Sequence, residues 1–347
     1  MKRLAPFFDH YRTWTALYGA ETGGTGNALT KHQDLRNIIE KLHANPDVPR
    51  AELARIIFSA QPTSHPPSPS FSDRERALNL AVRVSAMINC SAVYQDLGVL
   101  EHGLLRQHWR GDISYSQFMS LLFPQIDHPT VNEDDSGKLP GFRTEVTARK
   151  LKKRARLRFQ PTDDLRCHLQ FHRKTRTVDI FHHTAFLKEQ LRLTRDGAGD
   201  LLLSESLKLG ALPRQLILEV LDSIQKVLFP LADEKSYALL QSLVSSSGFD
   251  PDCLRFESTS IRTAEETNIS YHYLGARLAE LYEESKNPTP HSLFDKWLER
   301  KSSARHVMLA TLVGVFIAIV LGILSLAVSL YQAYVGYQAW KHPVPAN

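Results

Sequence analysis

The sequence predicts a mainly α-helical body with one small β-hairpin near 165–181, followed by one C-terminal transmembrane helix. Three observations predict it. Apolar residues recur at helical spacing in most segments between polar breaks, one short stretch favours β structure, and residues 307–340 carry no Asp, Glu, Lys, Arg or His. The 347 residues are 43% hydrophobic and 23% charged, with mean hydropathy −0.26. Those values exclude a wholly disordered, collagen-like or coiled-coil chain, and equally a polytopic membrane protein. Three widely spaced cysteines, Cys90, Cys167 and Cys253, exclude a disulfide-stapled scaffold.

Residues 1–60 read as an N-terminal helical segment. Over 32–43, Leu35, Ile38, Ile39 and Leu42 share one face, and over 51–60 Leu53, Ile56 and Ile57 repeat the pattern. Residues 61–72 (QPTSHPPSPSFS) are a Pro/Ser linker. Residues 73–126 are a helical region, in which 73–89 places Leu78, Ala81, Val82, Ser85 and Met87 at helical spacing. Residues 127–142 are a polar loop. Residues 143–300 form a basic-then-acidic helical domain. Within it, 165–171 and 177–181 flank Arg173-Lys174-Thr175-Arg176 as a hairpin, with Thr177, Val178 and Ile180 favouring a strand. Helices are expected over 213–227, where Pro213 suits the first turn, and over 236–244, 264–284 and 291–300. The transmembrane helix is expected over 306–336, with a short tail at 337–347.

The most apolar stretch, 307–330, is 24 residues. As a helix rising about 1.5 Å per residue it covers about 36 Å, enough for a hydrocarbon core of about 30 Å. Lys296, Arg300, Lys301 and Arg305 precede it and Lys341 follows it, so the positive-inside rule puts the N-terminal side in the cytosol. Tyr331, Tyr334, Tyr337 and Trp340 suit the far interface. The start, Met1-Lys2-Arg3-Leu4, has no apolar run long enough for a signal peptide, so a tail-anchored protein with a cytosolic body is expected, inserted after translation. The span length and weakly basic tail favour a secretory-pathway membrane over the mitochondrial outer membrane. The sequons Asn89-Cys90-Ser91 and Asn268-Ile269-Ser270 should then stay unglycosylated. Ala310, Gly314, Ala318 and Gly322 recur every fourth residue, a spacing that leaves a groove for a second copy of the helix and so a homodimer.

Charge is concentrated. Residues 143–195 hold 15 basic and 5 acidic side chains, whereas 196–305 hold 12 basic and 17 acidic. The densest run is Arg149, Lys150, Lys152, Lys153, Arg154, Arg156 and Arg158. Such a field suits anionic lipid or an acidic protein partner, or matches the acidic region of the same chain. Nucleic acid fits worst, because no zinc-finger spacing or aromatic-rich basic motif is present and an anchor restricts access.

No catalytic motif holds. The chain lacks a Gly-x-Ser-x-Gly elbow, Cys-x-x-Cys and His-Glu-x-x-His, and Gly23-Gly24-Thr25-Gly26 lacks the ending of a phosphate loop. Cys167, His168, His172, His182 and His183 are the nearest approach to a metal set. His168 and His172 would share a strand face and His182 would lie on the partner strand, while His182 and His183 would point apart. No metal or other cofactor is therefore expected. Asp163-Asp164, behind Thr162, reads as a turn or helix cap.

The strings TDDLRCHL, FHHTAFLKEQLRLT, LPRQLILEVLDSIQKVLFPL and SGFDPDCLRFES, with the closing apolar segment and its Trp-Lys-His-Pro, carry a resemblance. Over roughly residues 73–343 the chain resembles a family of uncharacterised proteins from filamentous ascomycete fungi with a single C-terminal transmembrane helix. The resemblance implies a globular body on one membrane anchor and carries no catalytic residue. The expectation is a non-enzymatic, membrane-anchored interaction or regulatory protein that docks through 143–195. The alternative is a membrane-bound enzyme using His168, His172, His182 and Asp164.

Overall fold

The computed structural model describes residues 2–21, 27–59, 69–90, 108–132, 141–195, 202–256, 261–263, 266, 269–289 and 305–341. Most of the expected linker, and the helix expected over 291–300, lie outside these residues. The chain divides into two units, Met1–Pro288 and Thr289–Asn347.

The first unit is mainly helical. A 3-10 turn, Lys2–Leu4, leads into α1 (Ala5–Glu21), followed by α2 (His32–Ala44), α3 (Arg50–Phe58) and α4 (Phe71–Ala86). The apolar stripes pack as their spacing dictates: Leu35, Ile38 and Leu42 are buried on α2, and Leu53 and Ile57 on α3. Ser70 caps α4 by accepting from the Asp73 N–H, and Met87 ends it in the left-handed region at φ 53°. The buried Asp73 carboxylate accepts from Tyr18 Oη and Ala28 N, both at 2.5 Å. One side chain thus ties α1 and the entry to α2 onto α4. Arg50, almost wholly buried, bonds Asn79 Oδ1 at 2.9 Å, pairs with Glu75 at 2.7 Å, and lies 5.0 Å over the Trp109 ring. It joins α3 and α4 to the segment preceding α5 (Tyr115–Leu122).

Three short helices follow, α6 (Pro129–Asn132), α7 (Phe142–Glu145) and α8 (Ala148–Arg154). The chain then enters a three-stranded sheet of order β1-β3-β2. Its strands are β1 (Arg158–Thr162), β2 (Phe171–His172) and β3 (Thr177–Phe181). The hairpin is β2 against β3, antiparallel, with His172 opposite Thr177. β1 runs parallel to β3, with Phe159 opposite Val178 and Pro161 opposite Ile180. Pro161 is tolerated because β1 is an edge strand. The first expected strand is shorter than its reading. Asp164 accepts from the Arg166 N–H and turns Leu165–Cys167 into a 3-10 helix, and Leu169 sits at φ 60°.

Next come α9 (Thr184–Leu193), α10 (Leu203–Lys208), α11 (Arg214–Asp222) with a π-helical turn over Ser223–Leu228, α12 (Glu234–Ser246) and α13 (Gly275–Lys286). The helix expected over 264–284 begins only at 275. The cause is Glu219, fully buried on α11, whose carboxylate accepts from the N–H groups of His272, Tyr273 and Leu274 at 2.7, 2.9 and 2.8 Å. Those donors are claimed before a helical turn can use them.

The second unit contains α14 (Arg305–Lys341), apolar on every side. Its stretch Thr311–Gln338, 28 residues with none buried, is long and apolar enough to cross a membrane.

Candidate functional site

Two features of the first unit place charge or metal-binding chemistry together. The first is the basic run. Ala148, Leu151 and Ala155 are buried at helical spacing, then Leu157 and Phe159 at strand spacing. The cations between them therefore face outward: Arg149, Lys152, Lys153, Arg154, Arg156 and Arg158 are exposed and Lys150 is half-buried. Lys150 pairs with Glu145 at 2.7 Å, Arg154 also pairs with Glu145, and Arg149 approaches Asp233 at 3.8 Å. These bonds hold the Glu145 carboxyl below its ordinary range. Among the described residues, Lys152, Lys153, Arg156 and Arg158 have no acidic partner. Glu145, within the basic segment itself, and Asp233, from the acidic region, thus match part of the run and leave four cations on one helix–strand corner.

The second feature is a cluster of imidazoles around one carboxylate. Asp163 follows β1, and His182 and His183 follow β3. The alternation that should send the two histidines apart ends with β3 at Phe181. His183 has φ −78° and ψ 63°, and Thr184 N bonds His182 O at 2.8 Å, which is an inverse γ-turn. Both Nε2 atoms thereby reach Asp163 Oδ1, at 3.2 Å from His182 and 2.8 Å from His183. His10, on α1, brings a third Nε2 to 3.2 Å from the same oxygen. Phe7 stacked on Phe186 at 5.4 Å seats α1 against α9, and the His10 ring meets the His183 ring edge-on at 4.9 Å.

A buried polar frame supports the γ-turn. Asp250 N donates to His182 Nδ1 at 3.0 Å, and the Cys253 thiol donates to His182 O at 3.0 Å. Behind them Lys188 Nζ meets Asp252 Oδ2 at 2.6 Å and Arg255 O at 2.7 Å, and Thr184 Oγ1 donates to Asp252 Oδ2 at 2.9 Å. Burial pushes His183 down to about 4, although its bond to Asp163 opposes the shift. Burial alone would raise Asp163, but bonds from His182 and His183 hold it well below the ordinary carboxylate range. The center is thus a carboxylate facing a neutral His183. Burial pushes the thiols of Cys90 to about 11 and Cys167 to about 12, and raises Cys253 further, so none is a thiolate nucleophile at neutral pH.

The three histidines read from the sequence do not meet. His168, fully buried, bonds Ser223 Oγ at 2.8 Å and accepts from Phe181 N at 3.1 Å. His172 bonds Asp179 at 2.9 Å. Only His182 joins the cluster, whose other members are His10, Asp163 and His183. Asp164 caps its 3-10 turn and takes Arg166 in a forked pair. The paired histidines and Asp163 were visible signals; nothing in sequence pointed to His10. On α14, a Cβ added at Gly314 or Gly322 would meet nothing within 4 Å.

Compared with protein-family models, curated proteins and solved structures, the chain gave no match.

Proposed function

We propose that this chain is a membrane-anchored docking protein. Helix α14 crosses the bilayer, the first unit lies on the cytosolic side, and the corner bearing Lys152, Lys153, Arg156 and Arg158 contacts anionic lipid. The observation that carries the reading is those four exposed cations without an acidic partner among the described residues, set on and between a helix and a strand. The basic residues preceding α14 support the orientation.

Each cation held at an anionic leaflet contributes about 1 kcal/mol, so four contribute about 4 kcal/mol, or roughly a thousandfold in partitioning. The test uses the compact unit Met1–Pro288 with phosphatidylcholine vesicles, with and without phosphatidylserine. Binding should need the anionic lipid, fall as salt screens the field, and be lost when the four cations become Glu. Binding that ignores lipid charge, salt and the four substitutions rules the reading out.

A further inference from the structure

We infer that His10, His183 and Asp163 bind a divalent transition-metal ion of the zinc class, with His182 as the hydrogen-bond donor that holds the carboxylate. This inference stands independently of lipid docking.

The geometry is that of a ligand set. Three imidazole Nε2 atoms lie 2.8–3.2 Å from one oxygen, Asp163 Oδ1. All four donor atoms lie within 4.8 Å of one another. Bonds of about 2.0–2.1 Å to a tetrahedral ion put neighbouring donor atoms about 3.3 Å apart, close to the nitrogen-to-Asp163 separations. Hydrogen bonding alone accounts poorly for the convergence. A carboxylate oxygen has about two lone-pair sites; on Oδ1, His182 and His183 already fill them by hydrogen bonding, which leaves the approach of His10 Nε2 to the same oxygen at 3.2 Å unexplained. A cation between His10, His183 and the carboxylate takes the lone pairs of those two nitrogens and leaves His182 as the donor to Asp163.

The second bonds of the rings sort the three histidines. A neutral imidazole carries one proton. His182 Nδ1 accepts from Asp250 N, so its proton sits on Nε2, which is then a donor to Asp163 and has no lone pair for a metal. His183 is not fixed in this way. Its Nδ1 is buried with no hydrogen-bond partner among the described residues, so the proton can sit there and leave Nε2 free as a ligand. Among the described residues, His10 makes one polar contact, from Nε2 to Asp163 Oδ1. The set is therefore two imidazoles and one carboxylate, with a neighbouring N–H orienting the carboxylate as metal sites require. Two nitrogens and an oxygen suit zinc, cobalt and related ions, whereas calcium and magnesium prefer all-oxygen sites.

Three protein ligands leave a position for water. Side-chain exposures of 32% at His10 and 38% at Asp163 give solvent a way in, while His183 is sealed at 1%. The site is thus of the open kind, in which the ion polarises a bound water, rather than a closed four-ligand structural site. The ion would also fasten α1, through His10, to the ends of β1 and β3.

The experiment uses the full chain in detergent, stripped with a chelator and titrated with Zn2+ and Co2+ alone. The expected result is one bound equivalent, with cobalt giving the visible d–d bands of a low-symmetry four-coordinate site. His10→Gln, His183→Gln and Asp163→Asn should abolish both signals. His182→Gln should retain the bands and one equivalent, with affinity weakened about 10–100-fold. His10 lies on a partly exposed helix face, so His10→Gln tests the site without risk to the core, and circular dichroism checks each variant's fold. A folded wild-type chain that binds neither ion stoichiometrically overturns the proposal and leaves a hydrogen-bonded cluster. So does binding that survives His10→Gln and Asp163→Asn. Loss of the cobalt bands in His182→Gln overturns the assignment of His182 as donor.

Discussion

Lys188→Met tests the frame behind the γ-turn. Lys188 and Asp252 side chains are each 3% exposed, and their 2.6 Å ion pair is supplemented by Arg255 O and Thr184 Oγ1. Methionine fills much of the lysine volume but removes the charge. The Asp252 carboxylate is then left buried, with Thr184 as its remaining side-chain donor and with no partner on Oδ1 among the described residues. Breaking a buried pair from one side costs about 3–5 kcal/mol, because the surviving charge is uncompensated. The double variant Lys188→Met/Asp252→Asn removes that charge and should regain about half of the loss or more. Urea unfolding of the unit Met1–Pro288, read by circular dichroism, measures both. A single variant less than about 1 kcal/mol below wild type would refute the reasoning. A double variant no more stable than the single one would refute it equally.

Three further outcomes are expected. Glu219→Gln turns an amide N–H toward backbone donors that now meet a carboxylate, and should cost about 2–4 kcal/mol in urea unfolding, with faster amide exchange at His272, Tyr273 and Leu274. Burial, aided by the Arg277 charge, lowers His168 to about 3. A histidine whose folded pKa is depressed stabilises the fold fully above its ordinary value and loses that contribution as the pH falls from about 6.5 toward about 3. Wild type should accordingly lose more stability than His168→Asn between pH 7.5 and 4; parallel losses would sink this account. In membranes, Gly314→Ile with Gly322→Ile should abolish a cross-linked dimer if the small-residue face of α14 is a contact, and an unchanged dimer removes that face from consideration.

Much of the fold was legible because apolar periodicity reports the buried face directly. Leu35, Ile38 and Leu42 on α2 and Leu216, Val220, Leu221 and Ile224 on α11 and its π turn are buried as their spacing requires. β3 was legible from Thr177, Val178 and Ile180, and α14 from its uncharged length. β1 was hidden because its period-two signal, Leu157 and Phe159 alternating with Arg156 and Arg158, runs on from a charge-dense helix, and because the strand contains Pro161. The start of α13 was misplaced because its determinant, Glu219, is distant in sequence and acts through backbone donors. The imidazole cluster was illegible for two reasons. Period-two alternation was extended past the end of β3, where a γ-turn reverses it, and His10 arrives on a helix whose docking depends on Phe7 against Phe186. Local patterns predict which face of an element is buried; they do not predict which distant residues that burial brings together.

The most direct test of the account is the topology of the full chain in membranes. An N-terminal tag is exposed to protease on intact vesicles, and the same samples are treated with glycosidase. A cytosolic body anchored by α14 predicts a digested tag and no glycan at Asn89 or Asn268. A protected tag with a glycan-dependent shift would place the cationic corner in a lumen and contradict docking on the cytosolic leaflet.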